Sequence, residues 1–139
     1  MLLPLDQSKY FLDSYMQLIC RITGDEPSTP KEWARSRDKM LDVIRNDKVS
    51  KRISKESFYQ EVSRFVSGQF VYLKRYKNHY AMMHIASSKF YAVYALTSPL
   101  DEMIPEYCVV DTCLIPHEGV IVCDGLLTDS NVRLGMNYT

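Results

Sequence analysis

The apolar positions of this chain repeat on two different periods, and the change falls at Gly68. Before it, apolar residues return every three or four positions, the spacing of one helix face. Phe11, Tyr15, Leu18 and Ile22 form one such stripe, with Leu12, Met16 and Ile19 beside it. So wide a face predicts a deeply packed helix, capped by Asp6, running to about Thr23 and stopped by Gly24. Thr29-Pro30-Lys31-Glu32 is a capping box with proline at the first helical position, which predicts a second helix. Trp33, Arg37, Met40 and Ile44 share its face, Leu41 lies adjacent, and Asn46-Asp47 should end it. A third helix is predicted from a Ser54 cap, with Phe58, Val62, Phe65 and Val66 on its buried side and Gly68 as its close.

Beyond Gly68 the period drops to two, and aromatic and β-branched residues dominate. Gln69–Tyr76, Tyr80–Ala86, Phe90–Thr97, Cys108–Ile115 and Val120–Asp124 read as five strands. Lys77-Asn78, Ser87-Ser88-Lys89 and Pro116-His117-Glu118-Gly119 are the turn signals between them, and Ser98 to Ile104 reads as one short helical turn with Pro99 near its start. Asp124-Gly125 has a second reading as a two-residue hairpin turn, with Leu126 and Leu127 starting a return that Asn131 to Leu134 continue. The expected fold is α+β: an N-terminal three-helix segment (1–67), then an antiparallel β-meander of about five strands (68–139), one face covered by the helices. A length of 139 residues fits a single domain spanning 1–139.

Composition adds little, but charge distribution changes the picture. The chain is 46% hydrophobic and 24% charged, an ordinary globular balance. The opening MLLPLDQSKY lacks a basic n-region and its apolar run is broken by Pro4 and Asp6, so no secretory signal is expected. No apolar run reaches the length of a membrane span. A cytoplasmic location with reduced cysteines and no membrane partner is therefore expected. The net charge of zero hides a segregation: −2 over residues 1–29, +8 over 30–89 and −6 over 90–139. Either the basic middle meets a polyanion, or two parts of one domain attract each other.

The densest run of reactive side chains is Cys113 to Leu127, CLIPHEGVIVCDGLL. Cys108, Cys113, His117 and Cys123 are zinc-ligand types, but their spacing has no Cys-x-x-Cys knuckle. Strand alternation points Cys108 and Cys113 to opposite faces. A hairpin turning at Pro116–Gly119 is predicted, with Ile115 opposite Val120, Cys113 opposite Val122 and Thr112 opposite Cys123. Cys113 and Cys123 then also lie on opposite faces, and no metal is expected. Ile115, Val120 and Val122 should share one face with Val109, and Val110, Leu114 and Ile121 the other. The same register sets Asp111 against Asp124, a repulsive pair unless a cation sits there, one acid is protonated, or the ladder breaks at Gly125. His79 and His117 fall at predicted turns and His84 in a strand. The sequence has no phosphate loop, zinc-protease motif or nucleophile elbow, and it names no catalytic residue and no cofactor.

Residues 68–139 carry a resemblance. The aromatic-basic FVYLKRYKNHYAMM, then FYAVYALTSPLDEMIP, VVDTCLIPHEGVIVCDGLL and NVRLGMNY resemble the C-terminal part of a group of small uncharacterised bacterial proteins. Some members of that group also carry a cysteine-rich SEC-C metal-binding motif. The group's wording is "LLPF…IIYDGLL"; here His117 stands for the phenylalanine and Cys123 for the tyrosine, and the SEC-C segment is missing. The resemblance implies a bacterial-type cytosolic domain. It assigns no catalytic residue, and it makes Asp124-Gly125 a candidate for architecture.

Three functions follow as expectations. The first is a non-enzymatic structural or protein-interaction module, binding itself or another protein through the strand tyrosines Tyr72, Tyr76, Tyr80, Tyr91 and Tyr94. The second is a nucleic-acid binder using the basic region 31–77, with Arg35, Arg37, Lys48, Lys51, Arg52, Lys55, Lys74 and Arg75 as the contact residues. The third is a hydrolase-like enzyme built around Asp111 and Asp124 with His84.

Overall fold

The computed structural model describes residues 2–133. It begins with α1 (Leu5–Thr23), which stops at Gly24 in the left-handed conformation as the sequence predicts. Its N-terminal neighbour is Pro4, and Asp6 falls inside the first turn. Next is α2 (Pro30–Arg45), whose Thr29 hydroxyl accepts from the Glu32 amide, with Pro30 as its first residue. That cap contributes about 1 kcal/mol.

The third predicted helix is replaced by two short ones, α3 (Lys51–Ser54), capped by the Ser50 hydroxyl, and α4 (Ser57–Val62). Helix α4 ends before Phe65, and β1 (Val66–Arg75) begins earlier than the change of period suggested. Gly68 is a strand residue rather than a helix stop. Its φ is +129°, and a Cβ there would lie 3.3 Å from the His84 ring. Close approach of that ring, in a conformation that side-chain-bearing residues avoid, is what demands glycine.

The remaining elements are β2 (Tyr80–His84), β3 (Lys89–Tyr94), α5 (Leu100–Met103), β4 (Cys108–His117), β5 (Val120–Cys123) and β6 (Thr128–Arg133). The strands do not form a meander. Strand β4 pairs with β1 from Val66↔Leu114 to Val71↔Val109, with β5 along its C-terminal half, and with β6 along its N-terminal half. Strands β3 and β5 pair in parallel through Val93↔Ile121 and Tyr94↔Val122. The ring β1-β2-β3-β5-β4 therefore closes into a five-stranded mixed barrel, with β6 added to β4. Two features make closure possible. Ten-residue β4 is long enough to serve three neighbours, and the crossover through α5 returns the chain to the far side of the barrel.

Two apolar cores result. Inside the barrel lie Phe70, Tyr72, Tyr80, Met82, Val93 and Leu114, with Leu100 and Ile104 from α5 and the turn after it. Outside it, Phe11, Tyr15, Leu18 and Ile19 of α1 and Met40 and Leu41 of α2 pack on Cys113, Ile115 and Val122. No helix among the described residues is long and apolar enough to cross a membrane.

Candidate functional site

The Cys113–Leu127 stretch forms a hairpin, but its register is two residues from the expected one: Ile115 pairs with Val122 and His117 with Val120. The turn is Glu118-Gly119, with φ +48° and +84°, the primed geometry that suits a two-residue hairpin. Pro116 thus belongs to the strand. A shift of two keeps every side chain on its expected face. Cys113, Ile115, Val120 and Val122 pack with the helices, and Leu114, Ile121, Cys123 and Val110 with the barrel interior. The two thiols are on opposite sides of the sheet. Burial, then Asp124, pushes Cys113 up, and the same causes push Cys123 up to about 11. Neither is poised as a nucleophile or metal ligand. Among the described residues no group of three or more His, Cys, Asp or Glu could hold a metal ion.

His117 lies well inside the fold rather than at a solvated turn. Its Nδ1 is 2.8 Å from Glu61 Oε1, and the Glu118 amide donates to Glu61 Oε2 at 3.0 Å. The rings of Phe11 and Phe58 stand edge-on to it. This cluster holds α1 and α4 against the end of β4.

The expected Asp111–Asp124 repulsion does not arise. Strand β5 ends at Cys123, and Asp111 pairs with Gln69 on β1 and Thr128 on β6. Asp124 turns instead toward the helices, where it is fully buried and has four partners. Tyr15 Oη donates to Oδ2 at 2.6 Å and Arg37 Nη1 to the same oxygen at 2.8 Å. The Leu126 amide donates to Oδ1 at 3.0 Å, and Thr112 Oγ1 makes a longer contact at 3.4 Å. Arg37 Nη1 also donates to the Leu126 carbonyl, and Arg37 Nε to Asp38. Burial alone would depress the Arg37 guanidinium, but the Asp124 carboxylate beside it holds it firmly charged. Burial and then Asp124 raise the Tyr15 hydroxyl well above its ordinary range. One carboxylate therefore clamps α1 and α2 to the barrel, and its acceptor positions are taken.

This corrects the nucleic-acid set: the Arg37 side chain is 4% exposed and committed to Asp124. Its place in the apolar stripe of α2, between Trp33 and Met40, was the signal of burial in the sequence. Arg35, Lys48, Lys51, Arg52 and Lys55 are exposed. Lys74 lies over the Tyr76 ring, and Arg75 pairs with Asp101 at 3.3 Å. The hydrolase set is dispersed. His84 contacts Ser87 Oγ and the Ser67 carbonyl, and no hydrogen bond among the described residues joins it to Asp111 or Asp124.

The tyrosine set divides as well. Tyr72 and Tyr80 are barrel-interior residues, which removes them from any contact surface. Tyr91 is half-buried against Phe70, Tyr94 is half-buried beneath the helices, and Tyr76 is exposed. The surface apolar group on these strands is Phe90, 70% exposed on β3. Strand β3 pairs with β2 along Lys89–Val93 but with β5 only at Val93 and Tyr94. Among the described residues no strand pairs with the other edge of Phe90, Tyr91 and Ala92, beside exposed Ala92 and half-buried Met83.

A cavity of about 300 Å³ lies between α1, α2, α5 and the ends of β3 and β5, with Asp124 on its wall. No protein family model, no curated protein and no solved structure matches this chain.

Proposed function

We propose that this chain is a non-enzymatic protein-interaction module that pairs with a second copy of itself through β3. The observation that carries the reading is Phe90, largely exposed beside a strand edge that no described residue pairs. Such an edge recruits an extended strand, and an exposed aromatic beside it adds apolar contact. The chain itself supplies a strand of that kind, and antiparallel pairing about a two-fold axis consumes both edges at once. The committed state of Asp124, Arg37, Tyr15 and the two buried thiols favours binding over catalysis. The resemblance of residues 68–139 to small bacterial proteins belongs to the same proposal, as a source of architecture.

Sedimentation equilibrium over a wide concentration range tests the reading. A concentration-dependent dimer that Phe90→Glu returns to monomer is the expected result. A strict monomer at every concentration, or a dimer indifferent to Phe90→Glu, overturns it.

A further inference from the structure

The cavity beside Asp124 is independent of the β3 edge, and its chemistry is specific. We propose that it is a binding site for a small uncharged molecule with an apolar body and one hydroxyl, of the class of a medium-chain alcohol. Its volume of about 300 Å³ is that of a site for a small ligand. It opens where it does for a topological reason. Strands β3 and β5 run parallel, so no hairpin joins their C-terminal ends, and the gap between those ends is roofed by α1, α2 and α5. Leu12, Met16, Ile19, Trp33, Leu96 and Met103 supply apolar walls. Met16 and Met103 are partly exposed, and their unbranched side chains adapt to the shape of an occupant.

Charge excludes the other ligand classes. Asp124 is the carboxylate on the wall, and Arg37 and Tyr15 occupy it. A cationic ligand meets no free anion among the described lining residues, and an anionic ligand meets no cation there, because Asp124 is the one charged side chain of the wall and Arg37 and Tyr15 hold it. Either would lose its hydration without compensation. Thr97 and Ser98 line the same cavity and are exposed, so they offer hydroxyls to one polar group of the ligand.

Trp33 lines the site and is the one tryptophan of the chain, so its fluorescence reports occupancy without a label. The experiment titrates the full chain with 1-octanol, octanoate and octylammonium, following Trp33 emission and heat. Saturable one-to-one binding of 1-octanol is expected, with the two charged analogues weaker by roughly tenfold or more for want of a counter-charge. Leu12→Phe, which fills the cavity, should weaken 1-octanol binding by about tenfold or more. Phe90→Glu should leave it unchanged. Should Leu12→Phe fail to fold, Met103→Phe on the exposed rim takes its place. Non-saturable partitioning of 1-octanol, equal or tighter binding of either charged analogue, or insensitivity to the filling variant overturns the proposal.

Discussion

The two sides of the barrel solve the same problem in opposite ways. On the β4–β5 side, α1 and α2 cover an apolar sheet face, and a buried ion pair with a tyrosine hydroxyl fixes them there. On the β2–β3 side, a strand edge and a phenylalanine are left open to solvent. Polar groups on the covered side are satisfied internally, so they specify position. On the open side, no described residue pairs the outer backbone groups of Phe90 to Ala92, the groups to which the proposal assigns a second chain. On the proposed reading, the sealed face serves stability and the open edge serves recognition.

The most damaging way to break that contrast is to unseal the closed face. Asp124→Ala strands Arg37 and the Tyr15 hydroxyl in the interior, and chemical denaturation should show a loss of about 3–5 kcal/mol. Leu114→Ala, at the centre of the barrel core, should cost about 2–5 kcal/mol through the cavity it leaves. Thr29→Ala removes the α2 cap and should cost about 1 kcal/mol. Phe90→Glu touches only the open side. It should change stability by less than about 0.5 kcal/mol while abolishing self-association, which sedimentation and denaturation together would read.

A pH scan sharpens the same distinction. Burial, then Asp101 and Glu106, pushes the Tyr72 hydroxyl up to about 12, and Tyr80 is raised by burial and Asp101. Both are neutral in either state below the unfolded tyrosine value near 10. Above it the unfolded chain ionises first, so stability is full below about pH 10 and falls as pH rises toward 12. Denaturation midpoints between about pH 9 and 11 should drop accordingly. The smallest effect belongs to Tyr72→Phe. Its hydroxyl is the one buried side-chain polar atom among the described residues without a hydrogen-bond partner. Removing it should be neutral within about 0.5 kcal/mol and should flatten part of the alkaline loss.

Much of this was legible in the residues, and the failures have physical causes. The Thr29 box, the Gly24 stop and the faces of Cys113 and Cys123 follow from local geometry, and the chain keeps them. The third helix broke because Phe65 and Val66 fit a helix stripe and a strand equally well. Barrel closure left no trace in the alternation, because a meander and a closed ring demand the same inward and outward residues. The hairpin register was set by Glu118-Gly119 rather than by the proline, and a shift of two is invisible to side-chain parity. The Asp124 clasp joins residues 109 and 87 positions apart, a pairing that no local pattern encodes. Its one trace was an arginine in the apolar stripe of α2.

The ladder between β1 and β4 also governs how the molecule comes into being. Val66 finds Leu114 at a separation of 48 positions along the chain, and the pairing is antiparallel to the last residue of the run at Val71 and Val109. Such distant contacts are made late, after the entropy of a long loop has been surrendered. On the ribosome the helices and the β1–β3 strands emerge before β4 exists, so Phe70, Tyr72 and Met82 spend that interval without the strand that encloses them. The nascent chain should therefore be most prone to association while β4 is being made, and least once it has docked.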